Sequence, residues 1–503
     1  MRDGWIEVKL GEVCFTTSGG TPSRQNKSYF EGDIPWVKSG ELDKGLIVDS
    51  EEHISEEAIK NSSAKLFPKG TLLFALYGAT IGKMATLGIS AASNQAICGI
   101  YENDFLLSKY LYHYLSNKKR ELIGKGIGGA QPNISQTILK QLPIPLVSLP
   151  EQRAIVAKIE ALFSDLDKGI ADLKTAQDQL VTFRQAVLKK AFEGELTKEW
   201  REQQINLPIA HELLEQIKLE RQKHYEQQLE NWKQALKSWE KNGKEGKRPS
   251  RISKPKIVSE VKNEDIKNYD KIPNSWFWSR FGNVTYKIGD IDHKMPKTFK
   301  GGLPYLSTGN IKGDGSIDFE GAKTISKLDF DRLALKIKPE KGDIIFPRYG
   351  TIGRNVLIDF DKEFLVSYAC AIIKNITKLM DAKFALYYSV SPVIKREIKR
   401  YTVQTTQANI GIASIEVFVF PLCSKEEQHQ IVLEVESRLS VCDKVEQTIT
   451  ESLEKAKALR QSILKKAFEG SLLSPAEIEQ CKQAPDYEAA AALLDKIKAE
   501  KKR

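Results

Sequence analysis

The chain has 503 residues, a formal net charge of +10, 41% hydrophobic residues and six cysteines, which is too long for one ordinary domain and apolar enough to bury several cores. It contains no run of about eighteen apolar residues, and its opening MRDGWIEVKLGE has neither the basic nor the apolar region of a secretory signal, so a cytoplasmic protein is expected, with no membrane segment. Cys14, Cys98, Cys370, Cys423, Cys442 and Cys481 form no C-x-x-C pair and no zinc set with histidine, so free thiols are expected.

In chain order, residues 1–149 carry short apolar runs such as GTLLFALYG between Gly, Pro, Asn and Asp, with one helical stretch, LLSKYLYHYLSN. This predicts a globular α/β domain of short strands. GKGIGGAQPNIS at 124–135 then places Gly124, Gly126 and Gly129 in the G-x-G-x-x-G spacing of a phosphate-cradling loop. Residues 150–197 predict a long helix, with Ile155, Ile159, Leu162, Leu166, Leu173, Leu180, Phe183 and Val187 at spacings of three, four or seven. Residues 198–270 predict a helical extension packing through Leu213, Ile217 and Leu229, then a basic linker, GKRPSRISKPK, read as a solvated tether. Residues 271–423 predict a second globular domain and hold 23 Lys and Arg against 15 Asp and Glu, so they carry most of the excess charge and suggest an anionic partner. A second long helix is predicted at 424–470, with Ile431, Val435, Cys442, Ile449, Ala456, Leu459 and Ile463 along its seam, and a helical tail at 471–503.

These elements repeat. Residues 131–194 align without a gap to 407–470 at an offset of 276: QPNIS answers QANIG, Glu151-Gln152 answers Glu427-Gln428, and KKAFEG recurs whole. Upstream, GWIEVKLGEV resembles SWFWSRFGNV, IPWVKSGEL resembles LPYLSTGNI, and LYGATIGK resembles RYGTIGR. The expected architecture is α+β: two globular heads separated by long antiparallel coiled-coil-like helices, with an internal pseudo-twofold repeat. Helices of about 45 residues reach roughly 65 Å, comparable to one or two turns of duplex DNA. Periodicity alone favours a dimerisation stalk, whereas duplication of both modules and the basic second half point to a two-headed reader.

The repeat also tests the motifs. The segment aligned with GKGIGGAQPNIS, RYTVQTTQANIG, has no glycine before Gln407, and the first copy follows a helical stretch rather than a strand, so the dinucleotide reading fails. GATIGK is one residue short of a P-loop and becomes GTIGR. No metalloprotease, nucleophile-elbow or adenine-methylating motif occurs, and no catalytic or metal-binding residue is expected. The turns Tyr77-Gly78 to Lys83 and Tyr349-Gly350 to Arg354 place an aromatic, a hydroxyl and a cation after an apolar strand. They read either as phosphate-approaching turns or as plain hairpins.

The two-copy plan, with IPWVKSGEL, LLFALYGATIGK, SNQA and LPIPLVSLPEQRAIVAKIEALFSDLD followed by AVLKKAFEGEL, resembles the specificity subunit of a type I restriction-modification system over nearly the whole chain. The resemblance implies that each head is a target-recognition domain reading half of an asymmetric double-stranded DNA site. It implies that the helices space the heads and bind two modification and two restriction subunits. It further implies a non-catalytic chain without a cofactor of its own, with S-adenosylmethionine, ATP and Mg2+ on the partners. SNQA becoming SYAC, and the loss of the proline before the second helix, depart from the pattern.

Expected DNA contacts, chosen as residue types able to bond bases or phosphates on predicted loops, are Thr21, Ser23, Arg24, Lys38, Lys83, Gln131 and Asn133 in the first head. In the second they are Lys294, Lys297, Lys300, Asn310, Arg348, Arg354, Gln407 and Asn409. The shared Gln and Asn pairs fit backbone positioning better than sequence choice. Two competing readings are an enzyme holding a nucleotide or methyl donor in its glycine loops, and a scaffold without a DNA role.

Overall fold

A computed structural model describes residues 2–125, 133–245, 248–403 and 408–500. Two compact units result, and they do not follow the sequence repeat: one joins Met1–Thr175 to Ile449–Arg503, and the other is Ala176–Thr448. Each unit therefore holds one head and parts of both long helices, Leu149–Phe192 and Lys425–Glu469.

In the first unit, Thr16–Ser18, Ile97–Ile100, Leu72–Ala75, Met84–Leu87 and Leu46–Ile47 form a five-stranded sheet in that order. Leu72–Ala75 is buried at every position, which explains its unbroken apolar run. A four-stranded sheet orders His53–Ile54, Ile34–Val37, Ala91–Ser93 and Leu66–Phe67. Ile6–Lys9 pairs antiparallel with Pro143–Leu146, the strand that leads into the first long helix. The second unit repeats the plan: Phe277–Arg280 pairs with Val419–Leu422, and Thr285–Gly289, Cys370–Asn375, Ile344–Pro347 and Val356–Leu357 form a four-stranded sheet. Lys323–Ile325, Leu303–Leu306 and Leu365–Val366 complete it as a three-stranded sheet.

The repeated Glu-Gln clamps each long helix to the head before it. Gln152 accepts from the Leu107 N–H at 2.9 Å, the N-cap of helix Ser108–Gly124, and donates to Phe105 and Val147 carbonyls. Gln428 accepts from the Asp381 N–H at 3.0 Å, the N-cap of Ala382–Ser389, and donates to the Cys423 carbonyl. Beside them, Glu151 accepts from the Trp5 indole at 2.9 Å and Glu427 from the Trp276 indole at 2.8 Å. An arginine completes both sites, but from unrelated places in the chain: Arg2 for Glu151 and Arg201 for Glu427.

KKAFEG is shared for a different reason. Its glycine closes each helix at positive φ, +78° at Gly194 and +84° at Gly470, with the following N–H reaching back to Lys190 and Lys466 carbonyls. Its phenylalanine crosses to the other copy's head. Phe192 packs on Phe384 and Tyr388 of the second head, and Phe468 on Tyr110 and Tyr114 of the first.

Within each unit the helix segments run antiparallel. In the second, Arg184 pairs with Asp443 at 2.7 Å and Glu446 at 2.9 Å, while Arg201, farther along, meets Glu427. In the first, Arg460 pairs with Asp167 and covers the Phe163 ring. The predicted seam holds in the first helix at Ile155, Ile159 and Val187, with Leu162, Leu166, Leu173 and Leu180 half-buried, and along the second at Ile431, Val435, Cys442, Ile449, Ala456 and Ile463, all buried. It fails at the equivalent positions Phe183 and Leu459, which are 50% and 51% exposed. Leu213 and Ile217 are buried as expected in helix Ala210–Lys241, and all six cysteines are buried free thiols.

At the end of the first long helix, burial and the neighbouring Asp270 carboxylate push the Glu193 carboxyl up to about 7, against the pull of Lys189. Glu193 holds its proton more tightly folded than unfolded, so its contribution favours folding at acid pH and is lost as pH rises through about 7. Glu193→Gln is expected to gain more stability over the parent at about pH 8 than at about pH 5, in paired urea titrations.

Candidate nucleic-acid interface

In both heads the chain brings the glycine turn against the asparagine of the Gln-x-Asn segment. Tyr77 forms a β-bridge with Asn133, and Tyr349 forms one with Asn409. The register repeats: the Ile134 N–H donates to the Leu76 carbonyl at 2.8 Å and the Ile410 N–H to the Arg348 carbonyl at 3.0 Å. Positive φ at Gly78, Gly82, Gly350 and Gly353 fixes the turns, a conformation other residues adopt only with strain. Two features separated by 56 residues in the first copy and 60 in the second thus form one edge of each head.

In the first head the loop bearing Thr21, Ser23 and Arg24 starts at Gly19-Gly20. A Cβ on either would sit 2.3 Å from atoms of Ser93 or Ser63, so only glycine permits this approach. Thr21 donates to Gln95, a residue type that the second copy does not keep at the corresponding place. The exposed Arg24 pairs with Glu52 at 2.7 Å and lies 4.2 Å from the centre of the Phe30 ring. Lys38 pairs with Glu51 at 3.0 Å and Glu52 at 3.2 Å, and Lys83 with Asp43. Every expected cation of this head is thereby answered by a carboxylate, and hydrogen bonds to Glu51 and Glu52 hold the Lys38 ammonium above its usual range.

The second head divides its candidates. Lys294, Lys297, Lys300 and Arg354 are exposed, and none has an ion pair within 4.0 Å among the described residues. Arg348 and Asn310 depart from expectation. Arg348 is 5% exposed, bonded to Asp290 at 2.6 Å and to the Tyr368 carbonyl at 3.0 Å. It occupies the place of Leu76 in the first head: the Leu76 N–H donates to Ala96 and the Arg348 N–H to Ala369. A buried ion pair replaces a leucine, and burial of Asp290 is outweighed by Lys336 and Arg348, which hold its carboxyl below the usual range. Asn310 is 8% exposed and accepts from the Ser307 N–H at 2.9 Å, so it shapes its own turn.

Asn133 and Asn409 sit at the bridged edge, while Gln131 and Gln407 lie outside the described residues. Gly124 is the last residue of helix Ser108–Gly124, so the glycine fingerprint begins in a helix, and Gly126 and Gly129 also fall outside the description. Sequence reading did not single out Lys119, whose side chain lies against Gly82, 3.1 Å from where a Cβ would stand. The pairing of Lys119–Leu122 with Lys395–Ile398 at the repeat offset was the available signal. Among the described residues no acidic, His or Cys cluster could hold a metal, and no helix is long and apolar enough to cross a membrane.

Duplicated α+β heads, each carrying a glycine turn bridged to an asparagine and clamped to a long helix, define a two-headed architecture built by internal repeat. Residues 2–174 and 280–455 match the type I restriction modification DNA specificity domain, and the chain belongs to that family. It is similar to the EcoBI type I restriction enzyme specificity subunit of Escherichia coli, 24% identical over 521 residues spanning 100% of this chain and 93% of that one. In fold it resembles a chain from a study of complex assembly and conformational transition of the type I R-M system, with a TM-score of 0.61, 19% identity and coverage of 94% and 99%. It also resembles the HsdS subunit of Thermoanaerobacter tengcongensis, with a TM-score of 0.51, 18% identity and coverage of 94% and 98%.

Proposed function

We propose that this DNA specificity protein reads an asymmetric, two-part double-stranded DNA site, one half with each head, and does no chemistry itself. The observation that carries this reading is the recurrence, in two otherwise divergent heads, of the same bridged edge of glycine turn and asparagine. Shared geometry supports common placement on the duplex, and unlike side chains around it support unlike half-sites. The four exposed, unpaired cations of the second head fit phosphate contacts, whereas Arg24, Lys38 and Lys83 would first exchange their carboxylate partners for DNA.

Two modification subunits would bring S-adenosylmethionine for adenine methylation, and two restriction subunits ATP and Mg2+. The exposed Phe183 and Leu459, equivalent between the copies, fit apolar docking points for a pair of like partners. Mapping modified adenines genome-wide in cells with and without this chain tests the assignment: methylation at one two-part motif should vanish with the chain, and unchanged methylation overturns it.

Replacing Lys294, Lys297, Lys300 and Arg354 together by alanine is expected to weaken DNA binding and flatten its salt dependence. The slope of log affinity against log salt should fall by about 0.9 for each phosphate that no longer meets a cation, measured by fluorescence anisotropy. An unchanged slope removes these residues from the interface.

A further inference from the structure

The second unit contains a cleft of about 740 Å³ that the DNA-reading edge does not use. Helix Ala210–Lys241, linker residues 250–256 and the second head wall it, and its lining holds nine Lys and Arg against three Asp and Glu. It lies at the far end of the central sheet from the Tyr349 turn. That turn follows Pro347, which pairs with Cys370, whereas the cleft takes Lys374 and Asn375 from the other end of the same strand.

The three carboxylates are already engaged. Glu416 pairs with Lys256 at 2.5 Å, and Glu340 and Asp343 both pair with Lys374 at 2.6 Å. Arg221, deeper in the wall, is only 9% exposed and makes no ion pair among the described residues. Its terminal nitrogens donate to the Lys256 carbonyl at 2.9 Å and the Asn283 carbonyl at 3.3 Å, and its buried Nε has no partner among the described residues. Lys287, exposed in the same wall, bonds only a carbonyl among the described residues, that of Lys336, at 2.8 Å. Arg251 and Lys254 are exposed at the rim with no ion pair among the described residues. A buried cation without an anion is costly by several kcal/mol, and a concave site with this charge excess offsets that cost by taking an anion of several charges.

We propose that this cleft binds a polyphosphate-class anion, with Arg221 and Lys287 in the wall and Arg251 and Lys254 closing over it from the linker. Burial lowers the affinity of Arg221 for its proton against the pull of Glu416, and burial together with the neighbouring Lys336 and Lys374 lowers that of Lys287, so an added anion would be favoured at both. The phosphates can come from a free polyphosphate or nucleotide, or from a nucleic-acid backbone crossing the cleft.

Titrating the full chain with inorganic tripolyphosphate by calorimetry, and with a duplex lacking any recognition site by anisotropy, separates these sources. The rim variant Arg251→Glu/Lys254→Glu removes charge from exposed positions and tests the site without disturbing the wall; Arg221→Met tests the wall, with thermal unfolding followed in parallel. Saturable tripolyphosphate binding, one per chain, weakened about tenfold or more by the rim variant while duplex affinity is unchanged, identifies a free polyphosphate site. Duplex affinity that falls about tenfold in the rim variant, without saturable tripolyphosphate binding, identifies backbone phosphates as the ligand. Unchanged binding of both probes in both variants overturns the proposal, and leaves the reading of DNA by the heads untouched.

Discussion

Glu427→Ala is expected to destabilise the second unit by about 3–5 kcal/mol, the cost of removing one member of a buried charge pair. The Glu427 side chain is fully buried and receives the Arg201 guanidinium, the Trp276 indole at 2.8 Å and the Thr197 hydroxyl at 2.8 Å. Alanine would strand all three donors, and Arg201 is itself only 17% exposed. Glu427→Gln should cost less, because its carbonyl oxygen can still accept from the indole or the hydroxyl. Glu151→Ala should also cost less, since its Arg2 partner is 24% exposed and recovers water once its carboxylate is gone. Urea denaturation followed by tryptophan fluorescence reads all three. Equal losses for Glu427→Ala and Glu427→Gln would contradict this assignment, which places the larger loss on stranded donors.

Lengthening the paired helices should change which DNA sites are accepted. Inserting four helix-forming residues between Thr175 and Ala176, and four between Thr448 and Ile449, adds about 6 Å to each long helix where the two units divide. If the helices set the spacing of the heads, the tolerated gap between half-sites should grow by about two base pairs, at roughly 3.4 Å each. Matching insertions keep the antiparallel segments in step. Selection of bound sites from a pool of randomised duplexes measures the gap directly, and an unchanged gap would end the ruler interpretation.

The amount legible in the sequence differs between features. The duplication and both long helices are plain, because a gapless repeat and a three-four periodicity are local properties of a sequence. The Tyr-Gly turns and the Gln-x-Asn segments are each visible, but not that Asn133 and Asn409 meet the turns, because a bridge such as Tyr77 to Asn133 spans the whole fold of a head. Lys38, a reasonable loop cation in isolation, is bound by Glu51 and Glu52 from another strand's approach. Arg348 reads as a DNA contact because arginine after an apolar strand is usually exposed. Only Asp290, 58 residues earlier, makes it a core residue in the place of leucine.

That the protein is one unit written twice, that each unit has a short-stranded head and a long helix, and that the second head carries most of the charge are all legible before any fold is known. These follow from repetition, periodicity and composition, which need no partner. How the copies share their parts emerges only in three dimensions. Phe192 and Phe468 insert into each other's heads, Arg2 and Arg201 reach equivalent glutamates from inequivalent places, and the linker cations gather over Arg221. Burying an aromatic ring or compensating a charge depends on what lies within a few ångströms, and chain closure over hundreds of residues chooses those neighbours.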